Sequence, residues 1–261
     1  MIVFDDDEIQ VIFHRGVDDV LLVTFAPMNA LSDDTDFFGR SLAKRMGLSA
    51  LGFTAKRPNW YPEANVRAAL AATEQFRKGY REVVTYGASM GGYAAAKYSR
   101  PLGASTALSI CPQWSIDPAH TADFDRRYQE HFIPGRTGDV IRHEDVSGRI
   151  YVFVDPRCAS DFGHASRIPC AELVPVHSAQ HHVTGMLAGT AAFESLLAAA
   201  RQRNARELRA TVARLRRASP RRLVEVIKKA RRRHPGWADR LAQARGGLLA
   251  ANPRLLAEAS A

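Results

Sequence analysis

Gly87-Ala88-Ser89-Met90-Gly91 joins a β-type run, Glu82–Tyr86, to an alanine-rich stretch, Tyr93–Tyr98, and Gly92 extends the small residues between them. A serine at so sharp a strand-to-helix turn projects its Oγ above the sheet, and glycines flank it because larger side chains would collide with neighbouring backbone. Serine is a weak nucleophile. Covalent chemistry at Ser89 therefore needs an imidazole within reach and a carboxylate to orient that imidazole.

Both partners are expected further along the chain, acid before base. The loop after the apolar run Ile150–Val154 offers Asp155 and Asp161. Asp161 is the expected acid because Asp161-Phe-Gly-His164 reads as an acid opening a short helix, whereas Asp155, directly before Pro156, shapes a turn; Asp155 is the alternate. After Glu172–Val176 the loop carries His177, His181 and His182. His181 is the expected base, since it can swing over the serine turn, and His182, beside Val183, is the alternate. His177 and His181 are four residues apart, but that spacing aligns two imidazoles only on a helix and the segment reads as loop; no metal and no cofactor are expected.

Acyl transfer also needs donors for a developing oxyanion. The Met90 N–H, directly after the serine, is one. The other is expected from Ala26-Pro27-Met28-Asn29, where Pro27 has no N–H and Met28 or Asn29 must donate. Trp60, Tyr61, Gln113 and Trp114 lie in connecting loops and are expected to line a substrate pocket, while an isolated loop arginine such as Arg57 is expected to be solvated.

The elements that must hold these residues alternate along the chain. Ile9–Phe13, Val20–Phe25, Ser49–Thr54, Glu82–Tyr86, Ser105–Ile110, Ile150–Val154 and Glu172–Val176 are β-type. Phe37–Met46, Val66–Lys78, Tyr93–Tyr98 and Phe193–Ala200 have helical character. Such alternation predicts an α/β class, a mostly parallel doubly wound sheet with functional residues in loops at the carboxyl ends of strands. Residues 111–148 interrupt the pattern with aromatics, histidines and charges and are expected to form a lid.

Charge divides the chain unevenly. The net charge of +9 over 261 residues hides 19 Lys/Arg against 23 Asp/Glu in residues 1–200, and 17 against 4 in residues 201–261. Two units are expected: a mildly acidic body over 1–200 and a basic helical C-terminal extension over 201–261, broken at Ser219-Pro220 and His234-Pro235 into three short helices. The extension would meet nucleic acid, anionic lipid or an acidic protein patch through salt-sensitive contacts, or simply pack on the body or mediate oligomerisation; no base-reading motif is present. Cys111, Cys158 and Cys170 fit neither a zinc pair nor a disulfide framework, and the acidic first residues are unlike a secretory signal, so a cytoplasmic, soluble protein is expected.

Gly87-Ala88-Ser89-Met90-Gly91-Gly92, the acid after the next-to-last strand and His181 after the last resemble the α/β-hydrolase superfamily over about residues 8–200. Trp60-Tyr61, Met90-Gly91-Gly92-Tyr93 and Pro112-Gln113 are also similar to a little-characterised group of bacterial serine hydrolases. The resemblance implies an α/β-hydrolase fold and a serine-dependent hydrolase of acyl esters, or an acyltransferase, acting through Ser89, His181 and Asp161 on a small or carbohydrate-linked acyl group. Two other functions share the pattern: a catalytically silent binding module acting through the basic extension, and a peptidase of the same fold.

Overall fold

A strand packed on both faces must be apolar at nearly every position, and Val20–Phe25 and Arg149–Val154 are. A computed structural model, describing residues 1–247, builds them into one eight-stranded sheet. Its strands are β1 (Ile2–Asp5), β2 (Ile9–His14), β3 (Val20–Phe25), β4 (Ser49–Ala55), β5 (Glu82–Ala88), β6 (Thr106–Ile110), β7 (Arg149–Val154) and β8 (Ala171–Pro175), in the order β1-β2-β4-β3-β5-β6-β7-β8. β2 runs antiparallel to both β1 and β4; every other neighbouring pair is parallel. This is the α/β-hydrolase fold expected from the sequence.

The helices are α1 (Arg40–Met46), α2 (Glu63–Ala72), α3 (Glu74–Arg77), α4 (Met90–Lys97), α5 (Pro118–Thr121), α6 (Ala159–Ala165), α7 (Val183–Met186) and α8 (Thr190–Arg201), followed by α9 (Ala205–Ala218), α10 (Pro220–Arg231) and α11 (Pro235–Ala244). Side chains of alternate strand positions point to opposite faces. Leu21, Val23 and Phe25 of β3 and Ile150, Val152 and Val154 of β7 therefore join a core with α2, α4 and α6. Val20 and Leu22, with Tyr151 and Phe153, join a second core with α1, α8 and α9. The sheet is thus wound on both sides.

Three of the departures from the sequence reading have a local reason. β1 pairs with a single neighbour at the sheet edge and is half-exposed, so it needs little of the apolar content that marks an interior strand. The helix expected from Phe37 begins only at Arg40, because Gly39 takes a left-handed conformation and Phe37 instead fills the space above Gly52, where a Cβ would lie 2.1 Å from the ring. The helix expected over Val66–Lys78 breaks at Thr73, whose hydroxyl donates to the Ala69 carbonyl at 2.7 Å.

The three basic helices expected after residue 201 form α9, α10 and α11; residues 248–261 of that expected extension lie outside the described residues. Asn204 caps α9 by accepting from the Arg206 and Glu207 N–H groups, and Pro220 and Pro235 occupy first turns. Leu208 and Val212 of α9 are fully buried in the body's second core, while Val224, Ile227 and Ala238 make a small core between α10 and α11. Among the described residues no single helix is long and apolar enough to cross a membrane.

Leu208 therefore serves the body as much as the extension. Leu208→Ala is expected to cost about 2–5 kcal/mol of folding stability. Urea unfolding checks it: an unchanged midpoint would show that α9 is not part of the body's core.

Candidate functional site

Ser89 links β5 to α4 with φ 53° and ψ −121°, a left-sided conformation that costs a non-glycine residue about 1–3 kcal/mol. Close packing holds it there. A Cβ on Gly87 would lie 2.1 Å from the Gly91 carbonyl oxygen, and one on Gly91 would lie 2.0 Å from the Phe25 carbonyl oxygen. Only glycines let α4 start this close to the ends of β5 and β3. The Ser89 N–H donates to the Ile110 carbonyl at 2.8 Å, which fixes the turn against β6.

His181 arrives from the loop after β8, in a short turn over Gln180–His182. Its Nε2 lies 3.1 Å from Ser89 Oγ, and its Nδ1 lies 2.9 Å from Asp161 Oδ2. Asp161 sits in the first turn of α6, and its side chain is completely buried. The three residues singled out in the sequence thus meet in one hydrogen-bonded row. A carboxylate oxygen accepts, so Nδ1–H donates to it, and in the neutral imidazole Nε2 then faces the serine hydroxyl as an acceptor.

Asp155, the alternate acid, has a different place. Its Oδ2 accepts from the Gln180 N–H at 2.9 Å and its Oδ1 from the Arg157 N–H at 3.1 Å, so this buried carboxylate ties the loops after β7 and β8 together and sets the approach of His181. His182, the alternate base, is exposed.

The other expected site residues divide. The Met90 N–H heads α4 and has no partner within the helix. The turn after β3 lies against the same helix start: the Ala30 N–H donates to the Pro27 carbonyl at 3.0 Å, Met28 is half-buried and Asn29 exposed. Gln113 directs its side-chain nitrogen at Ser89 Oγ, 3.4 Å away, and the Trp60 indole N–H, donating to Gln113 Oε1 at 3.1 Å, fixes that orientation. Trp114 is half-buried, with its indole N–H on the Ile141 carbonyl at 3.0 Å. Trp60 and Tyr61 require correction as pocket lining. Both are fully buried, and the Tyr61 hydroxyl is spent on the Ala26 carbonyl at 2.8 Å, bracing the turn after β3. Arg57, expected to be solvated, pairs with Glu8.

Four further residues at the site escaped the sequence reading. Tyr128 Oη lies 3.2 Å from His181 Nε2, so two hydroxyls share the one free lone pair of that nitrogen. Arg127 Nη2 donates to Asp161 Oδ1 at 2.6 Å, the oxygen His181 does not use. Asp125 accepts from Arg127 at 2.7 and 2.9 Å and from His164 Nε2 at 3.0 Å. His164 Nδ1 in turn accepts from the Trp114 N–H at 3.2 Å. An Asp-x-Arg pair inside a charged stretch gives no sign in sequence that it is not simply hydrated.

Burial raises the Asp161 carboxyl, but its hydrogen bonds to His181 and Arg127 and the Arg127 charge outweigh it and hold the group below its ordinary value. Asp125 behaves likewise: burial raises it, and His164 and Arg127 bring it well below. Burial pushes the Cys111 thiol up, and the nearby Asp161 charge adds to the effect. Ligand atoms of Cys111, Asp161 and His181 lie within 4.8 Å of one another. That set does not suit a metal, since Nδ1 and both carboxylate oxygens are already engaged and the thiol is held protonated. A cavity of about 570 Å³ bordered by Asp7, Glu8, Glu63, Asp117, Arg136 and Asp139 includes none of the three row residues.

No family model matches the chain, and no curated protein matches its sequence. Solved structures do. A capsule O-acetyltransferase of Neisseria meningitidis serogroup A is 10% identical, with a TM-score of 0.46 over 66% of this chain and 85% of that one. A proline iminopeptidase of Mycobacterium smegmatis is 13% identical, with a TM-score of 0.46 over 82% and 98%. A putative hydrolase of Agrobacterium vitis is 15% identical, with a TM-score of 0.43 over 81% and 97%. At these scores and identities the likeness says nothing of reaction or substrate.

A carboxyl held below its ordinary value of 3.8 adds stability above that pH and loses it as the pH falls towards the depressed value. Asp125→Asn is therefore expected to be less stable than the parent at neutral pH and to lose less on acidification. Unfolding curves of both proteins at descending pH check this; parallel losses would contradict it.

Proposed function

We propose that the chain is a serine-dependent hydrolase of acyl esters, or an acyltransferase, working through a covalent acyl-enzyme. The observation that carries this reading is the row Ser89 Oγ, His181 Nε2, His181 Nδ1, Asp161 Oδ2, with contacts of 3.1 and 2.9 Å at a strained strand-to-helix turn.

In the proposed reaction Ser89 Oγ bonds to the ester carbonyl carbon while its proton passes to His181 Nε2. The carbonyl oxygen becomes an oxyanion, met by the Met90 N–H and a second backbone donor from Met28 or Asn29. When the tetrahedral carbon collapses, the bond to the leaving oxygen breaks and that oxygen takes the proton from Nε2. Water, or an alcohol in the transferase case, then gives its proton to the same nitrogen and attacks the acyl group, and Ser89 regains its proton as it departs. Asp161 remains a carboxylate throughout, orienting the ring and stabilising the imidazolium.

In this reading Gln113, whose side-chain nitrogen lies 3.4 Å from Ser89 Oγ, steadies the serine hydroxyl, and Trp114 borders the acyl group. The acyl group is small or carbohydrate-linked. A bacterial source and a reducing, cytoplasmic setting belong to the same proposal, in keeping with three free thiols. So does an anionic partner for the exposed basic residues of the last three helices, among them Arg206, Arg209 and Arg217 of α9, Lys229 of α10 and Arg240 of α11.

A fluorophosphonate probe tests the nucleophile. Labelling is expected at Ser89 and is expected to vanish in Ser89→Ala; a folded parent that takes no label would favour a silent binding module. Ester hydrolysis is expected to fall about 10⁴-fold or more in His181→Ala and to persist in His182→Ala. Equal rates in His181→Ala and the parent would reject the assigned base, and turnover of peptides in place of esters would favour the peptidase.

A further inference from the structure

We propose that Arg127 is a positioning residue for this reaction: by holding the second oxygen of Asp161, it keeps His181 in the uncharged form that accepts the serine proton. The inference rests on the reading of Ser89, His181 and Asp161 as the reacting row.

Two buried carboxylates, Asp161 and Asp125, face one another across a single guanidinium. Arg127 Nη2 reaches Asp161 Oδ1 at 2.6 Å and Asp125 Oδ2 at 2.7 Å, and its Nε reaches Asp125 Oδ1 at 2.9 Å. The carboxylate side chains are 0% and 2% exposed, so water screens little of this interaction on their side. His164 adds no charge. Its Nδ1 accepts from the Trp114 N–H, so its one ring proton sits on Nε2 and is donated to Asp125.

Asp155, accepting from the Gln180 N–H at 2.9 Å, is a third buried carboxylate beside His181 and is common to the parent and every variant below, whereas the thiols and the phenol around His181 and Asp161 are uncharged. Burial raises the Cys111 and Cys158 thiols and the Tyr128 hydroxyl above their ordinary values. Ser89 is neutral, and Arg216 of α9 reaches only the His177 carbonyl, at 3.1 Å. Arg127 is thus the cation that answers both Asp161 and Asp125. Here its planar fork spans both acids, which a lysine ammonium cannot do in the same geometry.

Removing the cation and removing the outer anion must act in opposite directions. In Arg127→Met two uncompensated carboxylates favour a protonated imidazole, and the acidic limb of the kcat/KM profile is expected to move up by about one pH unit or more. In Asp125→Asn the whole Arg127 charge bears on Asp161, and the limb is expected to move down. Arg127→Lys, which retains the charge, is expected to keep the limb near the parent's while lowering kcat.

The experiment is a kcat/KM profile on p-nitrophenyl acetate for the parent and the three variants, together with NMR titration of the His181 ring protons. Opposite shifts in Arg127→Met and Asp125→Asn support the proposal, and where Arg127→Met does not fold, a limb held near the parent's in Arg127→Lys beside a lowered limb in Asp125→Asn supports it. Unmoved limbs, or shifts of one sign in both, overturn it with the function intact. A parent that turns over no ester, but whose His181 titration still shifts in opposite directions in the variants, overturns the proposed function and leaves the coupling standing.

Discussion

A carboxylate taken wholly out of water must find hydrogen bonds and positive charge where it is buried, and Asp161 is such a carboxylate. One oxygen is met by His181 and the other by Arg127. Each partner comes from a different part of the chain: His181 from the loop after β8, Arg127 from the long connection between β6 and β7. Satisfying one acid therefore draws three loops together above the carboxyl ends of the parallel strands. The same demand recurs one step out, where Asp125 binds both Arg127 and His164.

The opposite wall of the site rests on space rather than charge. Ser89 holds a costly backbone conformation, and that conformation persists because Gly87 and Gly91 allow β3, β5 and α4 to approach within distances no side chain would permit. Tyr61, fully buried, fastens the end of β3 from below through the Ala26 carbonyl. Lys97, at the far end of α4, is buried too, and its ammonium binds the Val140 carbonyl at 3.0 Å and Asp145 at 2.8 Å, anchoring residues 111–148 to the helix that begins at the serine. Ser89 and the overlying segment are thus tied to one helix.

The fold was legible because its signals are local and repeated: apolar runs of strand length, each followed by a helical stretch, with glycines where strand and helix approach. The serine turn was legible for the same reason, and the loops holding Asp161 and His181 could be located by counting strands. What lay beyond reach depends on contacts between distant segments. Asp125 and Arg127 look hydrated until the partner 34 residues further on is known to be a buried acid. Trp60 and Tyr61 look like pocket walls because loops are normally exposed, yet both take left-handed backbone angles that turn them into the core. Asp155 and Asp161 were hard to rank because both are buried and both receive donors; only the direction of those donors, backbone N–H groups against an imidazole, separates their roles.

The central claim is that the Ser89 hydroxyl becomes acylated during turnover. Acid quenching during hydrolysis of p-nitrophenyl acetate, followed by peptide mapping with mass spectrometry, tests it most directly. The account predicts an acetyl group on Ser89 that disappears as the ester is exhausted. An acetyl carried through turnover by another side chain, with Ser89 unmodified, would contradict it.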